Sequence, residues 1–99
     1  MQKFDVFKIG ADFYAVVQAE HLLELNTVVL VPILPSGALP ALSKLTVDIQ
    51  IEDEPYRVRS HMPLTVEAQR MRHMKPVCRL SPAEGQKVMD GLNAVLWGL

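Results

Sequence analysis

The sequence predicts a mainly β domain finished by a C-terminal α-helix, and three observations carry that reading. The stretches "KFDVFKI" and "LTVDIQI" alternate apolar and polar residues with the period of two that a half-buried strand requires. The run "TVVLVPIL" is apolar at nearly every position, as in a strand covered on both faces. From Ser81 onward the apolar spacing changes to that of a helix. The 99 residues suit one domain, 1–99, and 49% of them are hydrophobic, which leaves some apolar surface for a partner.

Taken in order, Lys3 to Ile9 and Phe13 to Gln18 read as a β-hairpin whose three-residue loop draws its turn chemistry from Gly10 and Asp12. Phe4 and Val6 fall near one face of the first strand, and Lys3, Asp5 and Phe7 near the other. After "EHLLELN" comes the doubly buried strand, where Pro32 implies an edge or a bulge because it lacks the N–H a central ladder needs. "PSGALPALSK" reads as a loop with room for one helical turn.

"LTVDIQIEDEPYRVRSHM" is the clearest strand pair. Leu45, Val47, Ile49 and Ile51 lead through the "EDEP" turn to Tyr56, Val58, Ser60 and Met62 on a core face. Arg57, Arg59 and His61 then lie on a charged face. Farther on, Leu64, Val66 and Ala68 alternate, and Val77, Cys78 and Leu80 suggest a short strand after Pro76. Ser81 as N-cap, Pro82 at the first helical position and Glu84 in the capping-box position start the helix, and Gly98 is placed to stop it. Its buried stripe is expected to comprise Val88, Met89, Leu92, Val95, Leu96 and Leu99. Gly91 interrupts that helix either through simple tolerance or because another backbone approaches closely.

Trp97, the only tryptophan, stands nine residues beyond Val88 and so about 180° from it, in the company of Gln86, Asp90 and Asn93. Two readings follow: the last turn unwinds and folds Trp97 back over the core, or the ring is presented to a partner. Helical phase favours the second, since Trp joins large area and an N–H donor to few rotatable bonds.

Charge is unevenly spread. Residues 1–56 sum to −5 and residues 57–79 to +5, which makes the latter a solvated face or a docking site for an acidic partner or a nucleic acid. The single Cys78 is expected to be a buried structural thiol. No phosphate loop, dinucleotide fingerprint, nucleophile elbow or zinc spacing occurs, so neither metal nor cofactor is expected. The N-terminus alternates where a signal peptide would be uniformly apolar, and no run could span a bilayer, so a cytoplasmic location without membrane contact is expected. One constellation has catalytic potential: Arg57, Arg59 and His61 at period two could hold a phosphate and move its proton.

The "MQ" start, "VQAEHLL", "VVLVPILP", "IEDEPYRV" and above all "LSPAEGQKVMDGLNAVLWGL" together resemble the CcdB family, the toxin half of toxin and antitoxin pairs, over essentially the whole chain. The resemblance implies an SH3-like antiparallel barrel with a small additional sheet, a long C-terminal helix and a two-fold homodimer. It implies a non-enzymatic function, poisoning DNA gyrase by binding its A subunit and trapping the cleaved DNA complex, with no sequence-specific nucleic-acid contact of its own. Family residues carry over onto Trp97, Gly98 and Leu99, with Asn93 and Leu96 one turn earlier, and onto Leu22 in the segment after "VQ". A CcdA-like antitoxin whose disordered tail folds on the toxin is the second partner implied. The alternative on the same fold is a MazF- or Kid-type mRNA endoribonuclease, which would use Arg57, Arg59 and His61.

Overall fold

The computed structural model describes residues 1–42 and 44–98. Seven strands, β1 (Asp5–Ile9), β2 (Asp12–Val16), β3 (Thr27–Pro35), β4 (Thr46–Ile51), β5 (Glu54–Arg59), β6 (Leu64–Glu67) and β7 (Cys78–Arg79), precede one helix, α1 (Pro82–Trp97). Every pairing is antiparallel, in the order β4-β5-β3-β2-β1-β7, and the sheet curls into a half-barrel with α1 in its concavity. The small additional sheet takes the form of an arm: β6 pairs with the first half of β3 off the main path.

The long β3 explains how a proline sits inside a sheet. On one side β3 pairs with β2; on the other, residues 27–30 pair with β6 and residues 33–35 with β5. Pro32 falls in the gap between those two partners, where the missing N–H costs no ladder bond. Both faces of β3 are buried, as its composition requires. Val31 and Ile33 join the core under α1, while Val28 and Leu30 join a second core with Phe7, Val16, Ala68 and Met71.

Two turns differ from the sequence expectation or refine it. The first hairpin is joined by two residues, not three, because Ile9 pairs directly with Asp12. Gly10 takes φ 65° there, the left-handed first position that suits the twist of a tight hairpin. In the second hairpin Ile51 pairs with Glu54, and Glu52 and Asp53 both adopt positive φ, 54° and 66°. Charged residues fill this primed turn without glycine, so the strand pairing holds them in a conformation that L-residues disfavour.

The sequence-derived start of α1 is present in full. The Ser81 hydroxyl accepts from the Glu84 N–H at 3.1 Å, and the Glu84 carboxylate accepts from the Ser81 N–H at 2.8 Å. Val88 and Leu92 are buried against β4 and β5, but the predicted stripe stops there. Val95 and Leu96 are exposed, because the concave sheet runs out before the helix does. Gly91 is a close approach: a Cβ built on it would lie 2.6 Å from the Lys44 carbonyl oxygen and 2.9 Å from the Ser60 Cβ. "PSGALPALSK" forms a turn at its start and no helix among the described residues.

Candidate functional site

The end of α1 is built by two local rules acting in sequence. The capping box fixes where the helix begins, and the Ala94 carbonyl, accepting from the Gly98 N–H at 2.8 Å, fixes where it ends. Gly98 sits at φ 72°, ψ 23°, the left-handed stop that glycine supplies without a Cβ clash. The helix therefore stays wound through Trp97, which rules out the folded-back arrangement. Trp97 is 72% exposed and Leu96 60% exposed, with Asn93 on the solvent side one turn earlier. Of the sequence-derived site residues, Asn93, Leu96, Trp97 and Gly98 thus share one solvent-facing helix end, and Leu99 lies outside the described residues. Val95, assigned to the core stripe from periodicity, belongs to this exposed end as well.

Leu22 does not join them within one chain. It lies in a single 3-10 turn, Glu20–Leu22, between β2 and β3. That turn is tied to the beginning of α1: the Glu20 carboxylate accepts from the Lys3 N–H at 3.1 Å and stands 4.0 Å from Arg79, two residues before the N-cap. Trp97 is a helix length away, about 24 Å for 16 residues. The buried Gln18 holds the 19–26 excursion in place. Its amide nitrogen donates to the carbonyls of Leu22 and Thr27, and its oxygen accepts from the Val29 N–H.

The cationic strand face is not a solvated surface. Arg57 pairs with Asp48 at 2.7 Å and donates to the carbonyls of Ser36 and Leu39. Arg59 is only 5% exposed and donates to the Pro40 carbonyl at 3.0 Å, and its Nε finds no partner among the described residues. The two guanidiniums clasp the 36–40 loop onto β5. His61 lies past the end of the strand, half-buried, with its Nδ1 3.5 Å from the Leu45 carbonyl. Met62, expected in the core, is exposed because β5 stops at Arg59.

Cys78 is half-buried instead of fully buried. Burial pushes its thiol up from the ordinary value, and the negative charges of Glu84 and Glu52 push it further, so it is a poor nucleophile. Among the described residues no group of His, Cys, Asp and Glu side chains could hold a metal, and no helix is long and apolar enough to cross a membrane.

The sequence pattern of the CcdB protein family matches residues 3–98. The chain belongs to the CcdB family. It is thereby a toxin of the toxin and antitoxin class. No curated protein matches the sequence. Solved structures agree on the fold of this CcdB-family chain. An endoribonuclease from a mycobacterial species superposes with TM-score 0.78 at 17% identity, covering 100% of this chain and 92% of that one. A mycobacterial endoribonuclease in complex with its cognate antitoxin gives 0.75 at 18% identity, with 100% and 96% covered. MazE-MazF from Deinococcus radiodurans gives 0.74 at 10% identity, with 97% and 95% covered. Identities this low speak for shared architecture alone.

Proposed function

We propose that this CcdB-family chain poisons DNA gyrase by docking the end of α1 on the A subunit. The observation that carries the reading is Trp97, a large amphipathic ring left 72% exposed at the end of a helix that remains wound beneath it. Placing such a ring in water forgoes the burial it could gain in the core, and interfaces recover that area on binding. Leu96 adds apolar contact, Gly98 lets a target backbone come close, and Asn93 supplies polar contact one turn back. In a two-fold homodimer both Trp97 rings can flank one cationic side chain of the target, each contact contributing about 0.5 to 2 kcal/mol. A CcdA-like antitoxin would neutralise the dimer.

Purified protein added to gyrase, plasmid DNA and ATP should accumulate linear DNA from trapped double-strand breaks, and Trp97→Ala should abolish this while remaining folded. An absence of breaks at saturating protein defeats the assignment. An endoribonuclease reading draws support from the fold of the mycobacterial and Deinococcus structures. Arg57 and Arg59 speak against it: Arg59 is buried and held by the Pro40 carbonyl, and Arg57, at the edge of a cleft of about 500 Å³, is already engaged by Asp48 and the loop carbonyls. Under that reading Arg59→Ala would remove RNA cleavage and Trp97→Ala would not.

A further inference from the structure

The basic block of residues 57–79 divides in the folded chain into two parts with different fates. Arg57 and Arg59 are consumed by the 36–40 loop and Arg79 is engaged by Gln2 and Glu20, whereas Arg70, Arg72, His73 and Lys75 are exposed with no carboxylate beside them among the described residues. The sequence "RMRHMK" explains their shared direction. Met71 is 1% exposed and packs with Ala68, Phe7 and Leu30, with Met74 against the same core, so the residues between the two methionines are turned outward. Successive turns, Met71 N–H to Ala68 carbonyl and Met74 N–H to Met71 carbonyl, stiffen the knuckle. Residues 68–83 contain no Asp or Glu, and among the described residues no carboxylate lies within 4.0 Å of Arg70, Arg72 or Lys75.

Apolar surface adjoins these charges. The Arg72 guanidinium donates to the Leu25 carbonyl at 3.3 Å, and Ala68 N–H donates to the Asn26 carbonyl, which fastens the knuckle to the turn that carries Leu25. Leu25 is 51% exposed, and a groove of about 560 Å³ beside it is lined by Asn26, Thr27, Glu67, Gln69 and Arg72. We propose that this knuckle and groove form the docking surface for an acidic peptide segment bearing aliphatic side chains, its carboxylates on Arg70, Arg72 and Lys75 and an aliphatic residue on Leu25. Naming the neutralising antitoxin as the source of that segment rests on the toxin reading; the recognition itself does not.

A peptide fits better than a nucleic acid for two reasons. The exposed apolar residues here are aliphatic, and His73 alone offers a ring, so the patch lacks the succession of aromatic platforms on which consecutive bases stack. Glu67 lines the same groove, which opposes a uniform polyanion but accommodates a ligand whose charges are spaced. The preformed knuckle also spares the ordering cost on this side of the interface.

The test is a fluorescence-anisotropy titration of the full-length protein with a labelled synthetic peptide in which Asp and Glu alternate with Leu. Binding at low salt should weaken at least about tenfold in the R70E/R72E/K75E variant, and likewise on raising salt to about 0.5 M. The same peptide with Asn and Gln for its acids should bind no better than the charge-reversed variant binds the original. Unchanged melting and circular dichroism establish that the variant is folded, and retained gyrase cleavage separates this surface from the Trp97 end. Equal binding by the variant, equal binding of the neutral peptide, no binding by the wild type, or displacement of the peptide by duplex DNA at the same concentration would each overturn the proposal.

Discussion

The two ends of α1 obey opposite demands. The part up to Leu92 is capped by Ser81 and Glu84 and buries Gly85, Val88, Gly91 and Leu92 against the sheet, while the last turn exposes Val95, Leu96 and Trp97. Apolar residues are present in both, so composition does not separate structural burial from surface made available for binding. What separates them is how far the concave sheet reaches along the helix. The same contrast recurs among the arginines, where Arg57 and Arg59 hold a loop and Arg70 and Arg72 face solvent.

Substitutions along α1 break or sharpen that contrast. Gly91→Leu should be the most damaging, because even a Cβ would come within 2.6 Å of the Lys44 carbonyl. A loss of about 3 kcal/mol or failure to fold is expected from overpacking against backbone, read by urea denaturation. Val88→Ala opens space in the core under the helix and should cost about 2 kcal/mol in the same experiment. Ser81→Ala removes one side of the capping box, and a loss of about 1 kcal/mol should lower the melting temperature by several degrees. Trp97→Ala should change stability by less than about 0.5 kcal/mol, since the ring is mostly in water, while eliminating gyrase-dependent DNA breaks. A large loss of stability there would return Trp97 to the core and erase the distinction between the two ends.

The smallest effect concerns Cys78, just before the helix. Its raised pKa keeps the thiol protonated, so iodoacetamide should alkylate the folded protein more slowly than the denatured chain at neutral pH. The sign for stability follows from the same shift. The unfolded thiol ionises first as pH rises, so this group's contribution is present below its ordinary value of 9.0 and declines above it. Partial exposure keeps that decline slight.

Local chemistry written in consecutive residues was legible without a structure. The alternation of β4, the capping box, the Gly98 stop and the phase that puts Trp97 opposite Val88 depend on neighbours a few residues apart, and the folded chain keeps them, whereas β1, which also alternates in sequence, is buried on both faces, Val6 in one core and Phe7 in the other. The family resemblance was legible for a similar reason, because its most specific marks, the helix start and the Trp-Gly ending, are contiguous. The loop of the first hairpin is one residue shorter than its turn chemistry suggests, since only the pairing of Ile9 with Asp12 fixes it.

Other features depend on partners far away in sequence. Periodicity gave Val95 and Leu96 an apolar stripe but could not show that β4 and β5 end short of them. The alternation of Arg57 and Arg59 was visible, yet whether they met water or the carbonyls of residues 36–40 depended on where a loop some twenty residues earlier came to rest. The sequence admits two reasons for Gly91, and the Lys44 carbonyl beside it selects the close approach of another backbone. Sequence by itself determined which elements form and which way Trp97 faces, because helices and strands are set by spacing along the chain. Tertiary structure alone decided which charges and apolar residues remain exposed, because burial is a property of surfaces brought together from distant segments.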